Sequence, residues 1–504
     1  MRSKESDLRL GQDLAEAGDV DPAYAIANKY LKRDPNDYQA LTLMTHVLLQ
    51  SDKPTIAYSL AKRVTQIIPK ASGGWLNMGR AAADLWMSNE AIRCYKKAIK
   101  SATDDKQKHM GLVNMCATLI DSGRFEQAES YARLALDIDP DNQKIISNLG
   151  FCQLSQRNWK EGWANYHKSL GIDWRPKTQY AGEPEWDGKK TDRVVLYAEQ
   201  GIGDVISFAS MIPDAQKKAK IVFDVDPKLE GLMRRSFPGI SVYGTRFQDN
   251  MMAWKPEDTE ISASQSIGQI AEFFRLKDSD FPGTAFLKAD PDRVLQWKAL
   301  FETKKKPVIG VAWRGGILKT GSKYRQWSLE QLVPLLESVD AHWVSLQYRP
   351  AGEEIAAFKE KHPNIDLVEY PHATLTNDYD DTAAMVEALD HLVCMQSAVT
   401  HLAGALGKDV WVFVPQNSQW RYGGDGEDYI WSKSVRIIRQ SKRGEWGEDI
   451  KRVGVELSER FSNGADLGRD DKQADRLNGD RARSGLPVRG KSSSKRPPEA
   501  RQGV

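Results

Sequence analysis

Three loops of this chain carry residues that could bind a phosphate or move a proton. The first spans 199–204 and contains Gly201, Gly203 and Asp204, between an apolar β-branched run and an apolar helical run. Glycines at such a turn let a ligand approach the backbone N–H groups of a helix N-terminus. Asp204 is either the N-cap of that helix or a general base at the mouth of a cleft, and spacing alone leaves both interpretations open.

The same loop partly matches a dinucleotide-binding fingerprint. Asp224 ends the next predicted strand, where the ribose-binding acid of such a fold would lie. The third glycine of the fingerprint is replaced by Ile206. The pattern therefore disfavours an NAD-dependent dehydrogenase, which stays an alternative.

The second loop follows the apolar run 309–313. Arg314 ends that predicted strand, and Lys319, Lys323 and Arg325 follow within one loop. Clustered cations at the carboxyl edge of a parallel sheet suit a diphosphate. A solvated basic loop is the alternative, and the charge pattern does not separate the two.

The third segment, 391–407, gives the strongest local signal. A buried strand is predicted to end at Met395, and a helix to run from near Ser397 to Gly407. Such a helix start offers free backbone N–H groups, hydroxyls and one histidine on a single face. The residues concerned are Ser397, Ala398, Val399, Thr400 and His401. This is the form of a pyrophosphate cradle, although a capped helix with a hydrogen-bonded histidine would look the same.

The loop 416–426 lies downstream of this cradle. It brings Trp420, Arg421 and Tyr422 together. Their rings could stack on a base or a sugar, so the loop is predicted to face the ligand.

The elements that must position these loops are short strands alternating with helices. This alternation predicts parallel α/β sheets. The candidate strands are 193–198, 220–224, 240–243, 307–313, 342–347, 365–369, 391–395, 410–414 and 435–439. They divide into an N-terminal Rossmann-like lobe at 193–300 and a C-terminal one at 301–461, with a last helix over 446–461.

The first third of the chain repeats a helical pattern every 34 residues, with three extra residues in the third unit. Ala57, Ala91 and Ala128 share one register, and prolines close several units. This pattern is typical of tetratricopeptide repeats, paired helices stacked into an α-solenoid. Five units are predicted near 4–37, 38–71, 72–108, 109–142 and 143–176, an array over 1–176. Because such arrays bind peptides or proteins, chemistry is expected in the remainder.

Aromatic residues crowd the fifth unit. Trp159, Trp163, Tyr166 and Trp174 either seat the array on the following domain or form ordinary core. A Pro/Gly-rich connector is predicted over 177–192.

Composition limits the possible partners. The net charge is +2, from 71 basic and 69 acidic residues, which predicts no nucleic-acid partner. The four cysteines form no Cys-x-x-Cys pair, so reduced core thiols in a cytoplasmic protein are expected. The sequence predicts no signal peptide and no transmembrane segment. From 462 to 504 the charged, Gly/Ser/Pro-rich composition predicts a disordered tail.

Five motifs together resemble a known family. They are Gly201-Ile-Gly-Asp204, Gly310-Val-Ala-Trp-Arg314, Ser345-Leu-Gln347, His401-Leu-Ala-Gly-Ala-Leu-Gly407 and Trp420-Arg-Tyr-Gly423. The chain resembles bacterial tetratricopeptide proteins with a heptosyltransferase-like glycosyltransferase domain, which are distantly similar to the ADP-heptose:lipopolysaccharide heptosyltransferases and to protein O-GlcNAc transferase. The resemblance runs from the repeats to about Trp446. It implies a two-lobed GT-B fold with its active site in the cleft, a nucleotide-sugar donor held mainly by the second lobe, and no metal or cofactor.

The resemblance also implies roles for individual residues. Asp204 is the expected catalytic base. The expected nucleotide-sugar contacts are Gly203, Arg314, Lys323, Arg325, Gln347, Gln396, Ser397, Ala398, Val399, His401, Trp420 and Arg421. Heptosyltransferases usually have Asp-Thr or Asp-Ser where this chain has Gln396-Ser397, which disfavours heptose as the sugar.

The expected function is transfer of a sugar from a nucleotide-diphosphate donor to a protein or glycan acceptor presented by the repeats. The alternative is a non-catalytic tetratricopeptide adaptor whose nucleotide-sugar-binding domain is degenerate. The sequence leaves the base, the sugar and the acceptor open.

Overall fold

The computed structural model describes residues 3–172, 175–249, 253–254, 260–316 and 324–462. Four sequence predictions lie outside these residues. They are the packing of Trp174, the places of Lys319 and Lys323 in the basic loop, and the disorder of the tail beyond 462.

Five helix pairs make up the first third, as predicted. The helices are α1 (Lys4–Glu16), α2 (Val20–Leu31), α3 (Tyr38–Gln50), α4 (Pro54–Ile67), α5 (Ser72–Asp84), α6 (Ser88–Lys100), α7 (Asp105–Asp121), α8 (Phe125–Leu136), α9 (Gln143–Ser155) and α10 (Trp159–His167). Ala57, Ala91 and Ala128 are completely buried. A Cβ on Gly150 would lie 2.9 Å from the backbone nitrogen of Tyr166, so small residues do allow the paired helices to approach.

The first α/β lobe contains a four-stranded parallel sheet. Its elements are β1 (Arg193–Tyr197), α11 (Ile202–Ala209), α12 (Ile212–Gln216), β2 (Lys220–Asp224), α13 (Glu230–Ser236), β3 (Ser241–Tyr243), β4 (Ala263–Ser266) and α14 (Ala271–Phe274). The strand order is β3-β2-β1-β4. The chain therefore adds β2 and β3 on one side of β1 and then returns to place β4 on the other.

The second lobe contains a six-stranded parallel sheet. Its elements are α15 (Pro291–Glu302), β5 (Val308–Ala312), α16 (Leu329–Leu336), β6 (His342–Ser345), α17 (Gly352–Lys361), β7 (Leu367–Glu369), α18 (Pro371–Thr374), α19 (Tyr379–Ala388), β8 (His391–Met395), α20 (Ala398–Leu406), β9 (Val410–Val414), β10 (Val435–Arg439) and α21 (Gly447–Ser462). The strand order is β10-β9-β8-β5-β6-β7. Stacked helical repeats followed by two parallel sheets confirm the predicted fold class.

Two details differ from the sequence-based expectation. Strand β4 was missed because its sequence, Ala-Ser-Gln-Ser, is polar, yet all four residues are buried. Helix α15 packs against α19 of the second lobe, and Arg293 pairs with Asp378 at 2.8 Å, although this helix was expected in the first lobe. Helix α15 belongs with the second lobe because the helix and the acidic residue that it contacts, α19 and Asp378, are part of that lobe.

The fifth repeat unit seats the array on the first lobe. Trp159 Nε1 donates to Asp278 Oδ1 at 2.7 Å, and Trp163 Nε1 donates to the carbonyl of Arg275 at 2.7 Å. These contacts confirm the seating role predicted for the two tryptophans.

The third and fifth repeat units also contact the second lobe. Trp86, in the turn between α5 and α6, lies 4.5 Å from Tyr324 between ring centroids. Ser88 bonds to Arg443, and the carbonyl of Ser155 accepts from the N–H of Gly424 at 3.1 Å. The third and fifth units are therefore fixed to the same body as the cleft.

A buried arginine completes the junction. The side chains of Arg175 and Glu199 are both completely buried, and Arg175 Nη2 lies 3.0 Å from Glu199 Oε1. Arg175 Nη1 also donates to the carbonyl of Tyr166 at 2.7 Å, and the guanidinium lies 3.9 Å from the Tyr166 ring centroid. One side chain thus joins the end of α10 to the loop that leaves β1.

The structure bears on two expectations from composition, those for the cysteines and for membrane-spanning helices. The four cysteines are buried free thiols, as expected for core positions. Among the described helices, none has the length and apolarity that crossing a bilayer requires.

Replacing Arg175 tests the junction. Arg175→Met should lower the free energy of unfolding by about 3–5 kcal/mol, because it leaves Glu199 as an uncompensated buried charge. Urea unfolding followed by circular dichroism would measure the loss. Arg133→Met is the matched control, since Arg133 is half exposed in its pair with Glu129 and should cost at most about 1 kcal/mol. Equal losses for the two variants would contradict the assigned role.

Candidate functional site

The candidate site lies where both sheets reverse their direction of growth. In the first sheet this point falls between β1 and β4, and in the second between β5 and β8. Ligands of open parallel sheets bind in the crevice at such a switch point, beside the carboxyl ends of the strands. The loops that leave β1, β5 and β8 are the three predicted from sequence.

The start of α20 holds buried polar atoms that lack a partner. Ser397 is the N-cap residue, but its side chain makes no capping hydrogen bond. Among the described residues, Ser397 Oγ and both amide atoms of Gln396 are buried without a hydrogen-bond partner. Leaving such groups unpaired costs free energy, so this arrangement favours a ligand that supplies the missing bonds.

The predicted end of this helix is also correct. Gly407 follows α20 with φ +81°, the left-handed conformation that glycine adopts most easily. The predicted strand-to-helix unit of 391–407 is therefore present.

The loop after β5 lies directly on this helix start. A Cβ on Gly315 would lie 2.0 Å from the carbonyl oxygen of Gln396. The N–H of Gly315 donates to the carbonyl of Arg325 at 2.8 Å, which brings Arg325 to the same place. The Arg325 side chain is buried, and burial lowers its pKa, although the neighbouring Tyr422, Tyr348 and Asp204 side chains act in the opposite direction.

Two predicted contacts of this loop have protein partners. Arg314 Nη2 lies 2.8 Å from Glu354 Oε2. Gln347 is buried. In the amide orientation that gives both its oxygen and its nitrogen a suitable partner, the oxygen accepts from the N–H of Trp313 at 2.7 Å. In this structure Gln347 therefore shapes the loop.

Asp204 lies in the first turn of α11, across the cleft. The N-cap of that helix is Gly201, so the interpretation of Asp204 as the cap is wrong. A carboxylate in a first turn is still stabilised by the helix dipole. The side chain keeps a quarter of its surface exposed, and Asp204 Oδ1 lies 2.6 Å from Arg421 Nη1.

Arg421 is a buried cation of the site. Its guanidinium lies 4.4 Å from the ring of Trp420 and 4.8 Å from that of Phe208. Burial acts to lower the pKa of Arg421, but the charge of Asp204 and neighbouring tyrosines outweigh it and raise the pKa. Nε and Nη2 are buried without a hydrogen-bond partner among the described residues, so two donors stay available.

His401 joins the two lobes. Its Nδ1 lies 3.0 Å from Ser207 Oγ of α11 and 3.0 Å from Tyr429 Oη. Burial, with a contribution from Arg421, lowers the pKa of His401 to about 3, so the ring is neutral. In this structure His401 is therefore a hydrogen-bonded histidine, and its contact with a phosphate stays a prediction.

Gly203 makes the close contact beside this histidine. A Cβ at that position would lie 2.8 Å from His401 Cδ2 and 3.1 Å from the Cα of Ala398. The glycine thus lets α11 approach α20. Val399 is buried in the first turn of α20.

Trp420 does not have the exposure expected of a ring that stacks on a base. It is 6% exposed, and its ring centroid lies 5.3 Å from that of Trp163 in the last repeat helix. In this structure the ring forms a contact between the array and the second lobe, and its role towards a ligand stays a prediction. Tyr422 is likewise buried.

Asp224 has structural partners as well. Its carboxylate accepts from Tyr180 Oη at 2.6 Å and from Thr245 Oγ1 at 2.9 Å. Burial raises the pKa of this completely buried acid. These contacts give no support to a ribose-binding role or to the dehydrogenase alternative.

Sequence reasoning missed Ser207, Tyr429 and Glu354. Ser207 lies 194 residues from His401 along the chain, and Tyr429 lies 28 residues away. No local spacing links such positions, so only the docking of α11 on α20 could have revealed them.

Comparisons with known proteins identify tetratricopeptide repeats and one relative that matches most of the chain. A tetratricopeptide repeat family model matches residues 117–142. Protein FlbA of Caulobacter vibrioides is 26% identical over 444 residues, which is 84% of this chain and 73% of FlbA. The chain contains tetratricopeptide repeats and is related to FlbA.

Other matches are confined to part of the chain. Tetratricopeptide repeat protein 8 of Caenorhabditis elegans is 24% identical over 133 residues, 26% of each chain. The solved structure of TTC0263, a tetratricopeptide protein of Thermus thermophilus, is 22% identical, covers 34% of this chain and 92% of its own, and has a TM-score of 0.30.

The neutral state of His401 predicts a loss of stability in acid. The unfolded ring takes up a proton below its ordinary pKa of 6.5, whereas the folded ring does so only near 3. The free energy of unfolding should therefore fall with decreasing pH in this window, by at most about 1.4 kcal/mol per pH unit. Urea unfolding of the wild type and of His401→Asn, at about pH 7, 6 and 5, should show the steeper fall in the wild type. The exposed His372→Asn is the control, and an identical slope in wild type and His401→Asn would contradict the assignment.

Proposed function

We propose that this protein transfers a sugar from a nucleotide-diphosphate donor to a protein or glycan acceptor presented by its repeats. The observation that carries the proposal is the set of buried polar atoms of Gln396 and Ser397, at the start of α20, that have no partner among the described residues. They lie at the switch point of the larger sheet, where parallel sheets bind nucleotides.

The charge around this point suits a diphosphate. The first turn of α20 has free N–H groups and the positive end of the helix dipole. Arg421 has two buried donors without a partner among the described residues, and Arg325 is a second buried cation near Asp204. A bound diphosphate would accept bonds from the helix start and reduce the cost of burying these cations.

The proposed chemistry uses Asp204 as the base. The acceptor hydroxyl loses its proton to Asp204 while its oxygen attacks the anomeric carbon, and the bond from that carbon to the diphosphate oxygen breaks. The ion pair with Arg421 uses Oδ1 of Asp204, and we assign the proton transfer to Oδ2. The start of α20 stabilises the negative charge on the departing nucleoside diphosphate.

One observation favours a second candidate, the non-catalytic adaptor. The carboxylate that should act as base is already paired with a buried arginine at 2.6 Å. In that case the domain would bind a nucleotide sugar without consuming it, and the repeats would provide the protein's main activity.

Donor binding can be tested with Ser397→Ala. Thermal shifts of the wild type with ADP, UDP, GDP and CMP sugars should show stabilisation by one donor class. The variant should bind that donor about tenfold more weakly, because it lacks a hydrogen bond to a charged group. Ser338→Ala is the control, since Ser338 follows the end of α16 and its hydroxyl donates to the carbonyl of Leu335 at 2.7 Å. Stabilisation by NAD alone, or no difference between the two variants, would contradict the proposed site.

The role of Asp204 separates the enzyme from the adaptor. Asp204→Asn should slow release of the nucleoside diphosphate from the identified donor by about a hundredfold or more, with donor affinity retained. Asp204→Asn combined with Arg421→Gln should remain inactive but recover stability, since it removes the buried charge left behind. A wild type that binds the donor but releases no diphosphate in the presence of host cell extract would establish the adaptor.

A further inference from the structure

A separate cavity of about 680 Å³ lies at the junction of the two lobes. Its wall comes from α12, the end of α13, the segment 281–286 that joins the lobes, and Trp431 of the second lobe. It contains none of the residues proposed for the nucleotide sugar. The volume is of the size that binds a small molecule.

The wall is fixed to both lobes. The N–H of Phe286 donates to the carbonyl of Ala405 in α20 at 2.9 Å, and the N–H of Lys433 donates to the carbonyl of Gly283 at 2.9 Å. On the other side, Arg275 Nη2 donates to the carbonyl of Ser210, at the end of α11, at 3.2 Å. The cavity therefore belongs to the interface that sets the position of one lobe against the other.

Two buried donors at this cavity lack an oxygen or nitrogen partner among the described residues. They are Arg275 Nε and Trp431 Nε1. Arg275 is 2% exposed and Trp431 is 6% exposed, so water does not replace the missing acceptor. Both lie beside the ring of Phe281, at 5.8 Å for the guanidinium carbon and 5.0 Å for the indole. Each is a buried donor without a partner among the described residues, so an acceptor group of a ligand in this cavity would supply a missing bond.

The remaining wall gives the ligand's character. Asp214 Oδ2 lies 2.9 Å from Arg275 Nη1, and Asp214 Oδ1 lies 2.9 Å from Lys217 Nζ. Arg275 and Lys217 each carry one positive charge and Asp214 carries one negative charge, so the three side chains together have a net charge of +1. The rest of the wall combines apolar side chains, Pro213, Phe237, Pro238, Pro282 and Phe286, with the hydroxyls of Ser210, Ser236 and Thr284 and the amide of Gln216. A ligand with an apolar body and one negative charge matches both features.

We propose that this cavity binds a small monocarboxylate with an aromatic or branched apolar body. Its carboxylate accepts from Arg275 Nε and Trp431 Nε1, and its body lies against the proline and phenylalanine side chains. Because Arg275 belongs to the first lobe and Trp431 to the second, the ligand bridges the lobes and stabilises their present arrangement. The proposal does not depend on the identity of the donor or on catalysis.

The test compares phenylacetate with its uncharged isostere phenylacetamide by isothermal titration calorimetry on the full chain. Phenylacetate should bind saturably at one site, and the amide about tenfold more weakly or not at all, because it lacks the charge. Trp431→Phe keeps the ring but removes Nε1, and should weaken phenylacetate about tenfold. Trp411→Phe, an equally buried tryptophan of β9, is the control and should bind as the wild type does.

An exposed residue provides a second variant if Trp431→Phe does not fold. Lys217→Ala, at the rim, should weaken phenylacetate about threefold, since exposed charges contribute modestly. Absence of binding to the wild type, equal binding of acid and amide, or equal affinity in Trp431→Phe and Trp411→Phe would overturn the proposal.

Discussion

The buried ion pair between Arg175 and Glu199 is the interaction on which the arrangement of this protein depends. Taking a guanidinium out of water is costly unless every bond is replaced. Here Glu199 neutralises the charge, and the carbonyl of Tyr166 takes another donor at 2.7 Å. Since these partners come from the loop after β1 and the end of the repeat array, the charge is satisfied only when array and lobe are docked. The loop that begins at Glu199 leads into α11, whose first turn contains Asp204, so the docking also positions the candidate base.

From this junction a continuous set of contacts leads into the cleft. Trp163 of the last repeat helix packs against Trp420, Trp420 lies under the guanidinium of Arg421, and Arg421 pairs with Asp204. A partner bound in the repeats and a ligand bound in the cleft therefore share one packed unit. The large, rigid rings of Trp163 and Trp420 fill the space between the array and the second lobe, so they hold the two at a fixed distance.

Sequence patterns predicted those features that are local in the chain. The 34-residue period predicted the helix pairs, the apolar runs predicted nine strands within a few residues, and Ser397 with Gly407 predicted both ends of α20. They failed where tertiary contacts decide the outcome. The polar strand β4 is stable because its side chains bond inside the lobe, as Gln265 does with the carbonyl of Trp186. The neutral state of His401 depends on hydroxyls from distant segments, which no spacing encodes.

The seating of the array through its third and fifth units has a consequence for how such a protein changes over evolutionary time. A solenoid is held together by contacts between neighbouring units, so units can be gained or lost at its outer end without disturbing the others. The units that touch the lobes keep their register with the cleft, as Trp86 and Ser155 do. The length of the groove formed by the repeats can therefore change by one helix pair at a time, while the end of the groove that lies against the lobes keeps its position relative to the cleft.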